Sequence, residues 1–280
     1  MVRIDDLRKR YKDNLQDGVL ILSKLLNVDK SYIYSFGERE VPREIEDRFI
    51  ELMTKREEGY PIQYILEEKD FMGLNFYVKE GVLIPRFDTE TLVEYIIEYI
   101  NENHRDNNIR VLDLCSGSGA ISLSIGHYCK NTFVYGVDIS EVAIEVSNIN
   151  KEKFNLTNVR FLKGNLFKAL EGLGLEGQFE IIVSNPPYIS KGEIESLSNT
   201  VKDFEPLLAL DGGQDGLDFY RRITKESKGY LKNEGLLIYE IGYNQGEDVK
   251  DILFKEGFKD ISIIKDLQGH DRLVFGFKRN

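Results

Sequence analysis

Asn185-Pro186-Pro187-Tyr188 is the segment of this 280-residue chain whose residue types point most directly to chemistry. It follows Phe179-Glu180-Ile181-Ile182-Val183-Ser184, an apolar run that reads as a buried strand. Two of the chain's six prolines fall here. Each lacks an N–H and fixes φ, so the loop is stiff and its carbonyls stay out of a sheet ladder. The Asn185 side-chain carbonyl and the Pro186 main-chain carbonyl can both accept hydrogen bonds from a planar amide or amino NH₂ group, and Tyr188 can stack on it, worth about 0.5–1.5 kcal/mol beyond burial. Such a nitrogen is a poor nucleophile because its lone pair is delocalised, so the rate must come mostly from positioning. No general base is required, since the proton can leave after transfer. The competing structural reading is a rigid proline turn with an Asx motif.

A second segment has the character of a nucleotide-type loop. Val111-Leu112-Asp113-Leu114 reads as a strand, followed by Cys115-Ser116-Gly117-Ser118-Gly119 and a helix beginning at Ala120. Glycines at a strand-to-helix turn let a ligand approach the backbone and expose helix N-terminal N–H groups. The next strand ends at Asp138, 19 residues after Gly119, where an acidic residue binds ribose hydroxyls in such folds. A dinucleotide reader would show G-x-G-x-x-G. The D-x-C-x-G-x-G pattern here, with its acidic residue at the end of the first strand, fits S-adenosylmethionine better. Asp113 could orient the loop or meet the methionine amine. After a third strand, Asn165 could hydrogen-bond the adenine and Leu166 pack on its face. The competing readings are a helix N-cap for Asp138 and an ordinary turn at 163–167.

The elements that must carry these loops are legible from periodicity. In residues 1–70, Leu15, Val19, Leu22, Leu25, Leu26, Ile45, Phe49, Leu52 and Met53 recur at helical spacing, with Tyr32 and Phe36 as further core residues, predicting a small helical domain. Residues 71–87 alternate around Gly81 and predict a β-hairpin linker. From residue 88 to 280, Asp88-Thr89 can cap a helix, and strand-like runs follow at 111–114, 133–137, 159–162, 180–184, 236–241, 258–264 and 273–277. Helical segments such as 141–153 and 218–231 separate them, which predicts an α/β, Rossmann-like, mostly parallel sheet with helices on both faces. The last two runs, joined by Lys265–Asp271, should pair antiparallel.

Bulk properties narrow the function further. The net charge of −11 argues against a partner held mainly through phosphates. The charged N-terminal residues do not form a signal peptide, and no apolar run approaches the roughly 18–20 residues of a membrane span. Cys115 and Cys129 lack metal spacing, so no metal is expected. A reduced, cytoplasmic, monomeric protein fits these features.

With these residues in view, the chain resembles the bacterial release factor glutamine methyltransferases. The resemblance rests on Tyr60-Pro61-Ile62-Gln63-Tyr64-Ile65, Leu83-Ile84-Pro85-Arg86, Asp88-Thr89-Glu90, Asn185-Pro186-Pro187-Tyr188-Ile189 and Phe204-Glu205-Pro206. Asp215-Gly216-Leu217-Asp218, Glu240-Ile241-Gly242 and Gly269-His270-Asp271-Arg272 add to it. Asn-Pro-Pro-Tyr is shared with DNA adenine methyltransferases; the Ile-Pro-Arg segment discriminates better. The resemblance implies a seven-stranded S-adenosylmethionine-dependent methyltransferase domain, S-adenosylhomocysteine as product, and methylation of the glutamine in the Gly-Gly-Gln motif of class 1 peptide chain release factors, tuning translation termination. It implies cofactor contacts at 115–119, Asp138, Leu166 and Asn185, substrate contacts across 185–188, Thr89 and Glu90 near the cofactor pocket, and an N-terminal domain that grips the release factor. Three departures stand out: Cys115 and one of Glu67 or Glu68 occupy positions where the family often has Gly, and Phe87 replaces a proline.

Two rival readings remain. An adenine amino methyltransferase acting on nucleic acid would need a basic groove and a base-flipping pocket. A non-catalytic scaffold would be expected to lose the Gly loop or Asn185, and both are intact. Gly212-Gly213-Gln214 reads as a flexible loop rather than a built-in substrate mimic. His104, His127 and His270 are scattered surface or cap residues, Arg86 is either a carboxylate ligand or part of a junction salt bridge, and Glu240 has a structural reading.

Overall fold

Apolar residues at helical spacing in the N-terminal part fold as α1 (Ile4–Arg10), α2 (Leu15–Leu26), α3 (Lys30–Ser35), α4 (Arg43–Glu57) and α5 (Ile62–Leu66) in a computed structural model describing residues 2–266 and 268–279. Leu267, in the connector between the last two expected strands, and Asn280, at the end of the expected 88–280 segment, lie outside the described residues, as does Met1. Val19, Leu22, Phe49, Leu52 and Met53 are buried in one cluster with Ile4, Leu7 and Ile33, and Leu15, Leu25, Leu26 and Ile45 pack at its edge. The sequence placed Phe36 in this core, but it is 46% exposed, because the short α3 turns Ile33 inward instead.

The hairpin is formed by β1 (Glu68–Phe71) and β2 (Leu74–Tyr77), so its turn lies at Met72-Gly73 and not at Gly81. Both turn residues have positive φ, 51° and 69°. That is the two-residue turn whose twist matches paired strands. Gly81 makes a separate turn with φ +92°, and an added Cβ there would meet Val142 at 3.3 Å.

Next come α6 (Asp88–Asn103), β3 (Ile109–Leu114), α7 (Ala120–Tyr128), β4 (Thr132–Asp138), α8 (Glu141–Lys153), β5 (Val159–Lys163) and β6 (Phe179–Ser184). Then follow α9 (Lys191–Ile194), α10 (Asn199–Lys202), α11 (Asp218–Ser227), β7 (Leu231–Glu240), α12 (Gly246–Lys255), β8 (Lys259–Lys265) and β9 (Asp271–Phe277). Strands β3 to β9 form one sheet in the order β5-β4-β3-β6-β7-β9-β8. The first five are parallel, and β9 runs antiparallel to both β7 and β8. The expected antiparallel pair is therefore present, with β9 inserted between β7 and β8.

Period-two alternation sends Val111, Ile181 and Val183 to the face covered by α6 and α7, and Leu112, Leu114 and Ile182 to the face covered by α11 and α12. Helix α11 ends at Ser227, short of the expected 231, because Leu231 already belongs to β7. Asp88 and Thr89 do not cap α6: Phe87 precedes it and no side-chain cap bond forms. Asp88 instead pairs with Arg272 at 3.1 Å, and Thr89 turns inward. Among the described residues, no helix is long and apolar enough to cross a membrane.

Candidate active site

Strand order reverses between β3 and β6, and in open α/β sheets ligands bind beyond the carboxyl ends of the strands at such a point. Register makes this concrete. Leu114 pairs with Val137 of β4 and Ser184 of β6, and Ser184 pairs with Tyr239 of β7. Asp138, Cys115, Asn185 and Glu240 therefore leave the sheet side by side. The Ser184 hydroxyl donates to the Leu114 carbonyl at 2.7 Å, which ties the two loop origins together.

A cavity of about 330 Å³ opens there, within the size range of small-molecule sites. Cys115, Ser116, Gly117, Ser118, Asp138, Asn165, Leu166, Asn185 and Pro187 all line it. Four other residues singled out in the sequence do not. Asp113 lies behind the loop, its Oδ2 accepting from the Ser122 N–H at 3.1 Å and hydroxyl at 2.5 Å. Gly119 is the residue before α7, with φ +82°; a Cβ there would meet Phe161 at 2.8 Å and Leu123 at 2.9 Å, so this glycine serves packing. Pro186 is buried and Tyr188 is partly buried, its hydroxyl raised to about 12 by burial and by the nearby Glu240.

Each Asp138 oxygen takes one backbone N–H, from Gly117 at 2.8 Å and from Ser140 at 2.9 Å. Asp138 is not the N-cap of α8; Ser140 is, its hydroxyl accepting from Ala143 N–H at 3.3 Å. Burial holds the Asp138 carboxyl above its ordinary range. Its remaining lone pairs can accept a pair of hydroxyls on a ligand. Gly117 has φ +54° and open space where a Cβ would stand, and the buried Ser116 hydroxyl has no partner among the described residues. With Leu166, Ile139 and Ala143 as apolar wall, this set suits a nucleoside carrying a polar tail. Asn165 is engaged by Arg222, whose Nη2 donates to its Oδ1 at 3.1 Å.

Cys115 and Glu67 both adopt left-handed backbone, with φ 63° and 53°. Glycine adopts that conformation without a steric penalty. A non-glycine residue costs roughly 1–2 kcal/mol there.

Several positioning groups had no signal in the sequence. Asn150 of α8, fully buried, donates to the Tyr77 carbonyl at 3.0 Å and the Ser118 carbonyl at 3.1 Å, and accepts from Tyr77 N–H at 2.6 Å. It joins the hairpin to the glycine loop. Gln245 donates to the Tyr188 carbonyl at 2.9 Å and accepts from Gly242 N–H at 3.0 Å. A Cβ on Gly212 would stand 2.7 Å from Tyr188 Cα, so the 211–217 loop backs the proline loop closely. Gln214 itself is exposed and outside the cavity wall.

Of the residues flanking the junction, Arg86 forms an ion pair with the buried Glu205. Glu90 accepts from Met72 N–H at 2.7 Å, so it braces the hairpin turn and does not line the cavity.

Three carboxyls in this region are raised. Burial lifts Asp113 to about 7 against the opposing Ser122 hydrogen bonds, lifts Glu240 to about 7 against Thr89, Arg272 and Asn185, and raises Asp138. Between roughly pH 4 and pH 7 the folded chain holds protons that the unfolded chain has released. Stability contributed by these groups is therefore present at low pH and lost as pH rises through the folded values. His104, lowered by burial, acts in the opposite sense, so variants isolate the effect. Asp113→Asn and Glu240→Gln should each flatten the fall in unfolding free energy between pH 5 and 8; denaturant melts across that range that superimpose on wild type would contradict the assignment.

Comparison with known proteins supplies the wider context. Residues 105–247 match the family described as "Methyltransferase domain", and residues 5–66 match "PrmC N-terminal domain". The release factor glutamine methyltransferase of Clostridium acetobutylicum is 44% identical over 265 residues, covering 94% of this chain and 91% of that protein. Its counterpart in Fusobacterium nucleatum is 42% identical over 277 residues, covering 98% of this chain and 77% of that protein. A methyltransferase crystal structure from Pyrococcus furiosus shares the fold, with TM-score 0.54 at 18% identity over 84% of this chain and 99% of its own.

Proposed function

Because the chain belongs to the release factor glutamine methyltransferase family, we propose that it methylates the side-chain amide nitrogen of the glutamine in the Gly-Gly-Gln motif of class 1 peptide chain release factors and so tunes translation termination. The observation that carries this reading is the adjacency, across the β3–β6 register, of a glycine loop suited to a nucleoside and a stiff loop offering amide acceptors.

S-adenosylmethionine, when bound, supplies an electrophilic methyl group. Cys115, Ser116, Gly117, Ser118, Asp138, Asn165, Leu166 and Asn185 would hold it, with Asp113 and Gly119 shaping the loop from behind. Asn185 and Pro186 would accept the two amide hydrogens of the substrate glutamine, Pro187 would lie against its plane, and Tyr188, set back from the cavity, would shape the loop. Holding both hydrogens fixes the nitrogen and restricts the reaction to one approach, which is where most of the rate comes from.

The helical region within residues 1–70 would grip the release factor at a distance from the reacting amide. The hairpin of the 71–87 region would link it to the catalytic part from residue 88 onward, through Asn150 and Glu90.

The test is transfer of labelled methyl from S-adenosylmethionine to a purified class 1 release factor, with the same factor carrying Gln→Ala in Gly-Gly-Gln as control. Label that depends on that glutamine supports the reading. Label on nucleic acid and none on the factor would assign the chain to adenine methylation.

A further inference from the structure

Asn185 would have to present its carbonyl oxygen, and not its NH₂ group, to a substrate amide. The two ends of a side-chain amide are nearly the same size, so packing alone does not choose between them. Their hydrogen bonding is opposite: one end only donates and the other only accepts. The surroundings of Asn185 are strongly one-sided. Its Nδ2 donates to the Thr89 hydroxyl at 3.3 Å, across 96 residues of sequence. The Glu240 carboxyl is set beside Asn185 by the β6–β7 register, Thr89 and Asn185 favour its ionised form, and its buried Oε2 has no hydrogen-bond partner among the described residues, so it is an acceptor still short of a donor. Thr89 is 4% exposed and Glu240 2% exposed, so water does not substitute for either.

The backbone of Glu240 is fixed on both sides. It lies in register with Leu273 of β9, and its carbonyl accepts from the Tyr220 hydroxyl at 3.0 Å. With Glu240 ionised, above about pH 7, a flipped Asn185 would set its carbonyl oxygen against a buried carboxylate that has no proton to share, whereas the NH₂ group meets it as a donor. We infer that Glu240 and Thr89 are positioning residues that lock the Asn185 amide with its NH₂ group inward and its carbonyl free for the substrate nitrogen. Neither reaches the reacting atoms: Glu240 does not line the cavity, and Thr89 lines it beside Asn185.

This inference rests on the proposed methyl transfer, and the experiment keeps the two separable. Wild type, Glu240→Gln, Thr89→Val and Thr89→Ser are compared for kcat on a release factor, Kd for S-adenosylhomocysteine by calorimetry, and Tm. Gln at 240 can offer its own NH₂ to a flipped Asn185, and Val at 89 removes the hydroxyl at nearly constant volume. Both should lower kcat about tenfold or more, with Kd for S-adenosylhomocysteine within about threefold of wild type, because the loss falls on turnover and not on ground-state binding. Thr89→Ser, which keeps the hydroxyl, should recover most of the loss. Should Glu240→Gln fail to fold, the Thr89 pair carries the test alone. Unchanged kcat in a folded variant, or a kcat loss matched by an equal rise in Kd, overturns the positioning role while leaving the methyltransferase reading intact. A wild-type enzyme that labels no release factor overturns both.

Discussion

Replacing Asn185 by Ala is expected to lower kcat for methyl transfer roughly 10²–10³-fold, the scale seen when one preorganised polar contact at a reacting group is removed. The effect is large because the loop offers few substitutes. The Pro186 carbonyl is already assigned to the other amide hydrogen, and the side chain of Tyr188 does not line the cavity. Stability should change little, since the lost hydrogen bond to Thr89 is a single neutral one of 3.3 Å, worth about 1 kcal/mol. Asn185→Asp is the harsher change for the fold. It brings a second carboxylate against the buried Glu240, and like charges at such distance force one to stay protonated. Single-turnover assays with the folded Ala variant decide the matter: near-normal turnover removes Asn185 from the mechanism.

Asp138→Ala should weaken S-adenosylhomocysteine binding by about 10²-fold, as expected when hydrogen bonds to a charged acceptor worth about 1.5–3 kcal/mol are lost. Two effects act together. The carboxylate lines the cavity, and it also holds Gly117 N–H and Ser140 N–H in place, so its removal loosens the glycine loop along with the contact. The variant should show its defect in affinity and recover much of its kcat at saturating cofactor. Thermal shift gives a direct reading: wild type should be protected by S-adenosylhomocysteine and not by NAD(P), and the Ala variant by neither at the same concentration. Equal protection of wild type and variant would take Asp138 out of the site.

Much of the scaffold could be read before any coordinates. The D-x-C-x-G-x-G turn, the acidic end of β4 and the proline loop after β6 are local features. A strand, a tight turn and a helix start within a few residues, so backbone preference alone marks them. The alternation of strand and helix from residue 109 onward likewise announces a mostly parallel sheet. The misreadings have equally local causes. A lone glycine is a strong turn signal and points to Gly81, whereas the hairpin turns at Met72-Gly73, a non-glycine followed by a glycine, both at positive φ. Asp88 and Thr89 looked like caps because short polar side chains often are, but Arg272 and Asn185 supplied them with other partners.

The sequence by itself determined which residues stand at the end of each strand, because periodicity and turn chemistry act within a few residues of one another. Only the tertiary structure decided which strand ends meet. Parallel register sets Asn185 beside Glu240 and Cys115 beside Asp138, β9 enters between β7 and β8 to bring Arg272 near, and Asn150 reaches across 73 residues to Tyr77. Such partners are selected by burial: a polar side chain that loses water must find its complement wherever the fold places it, and that place leaves no periodic trace in the chain.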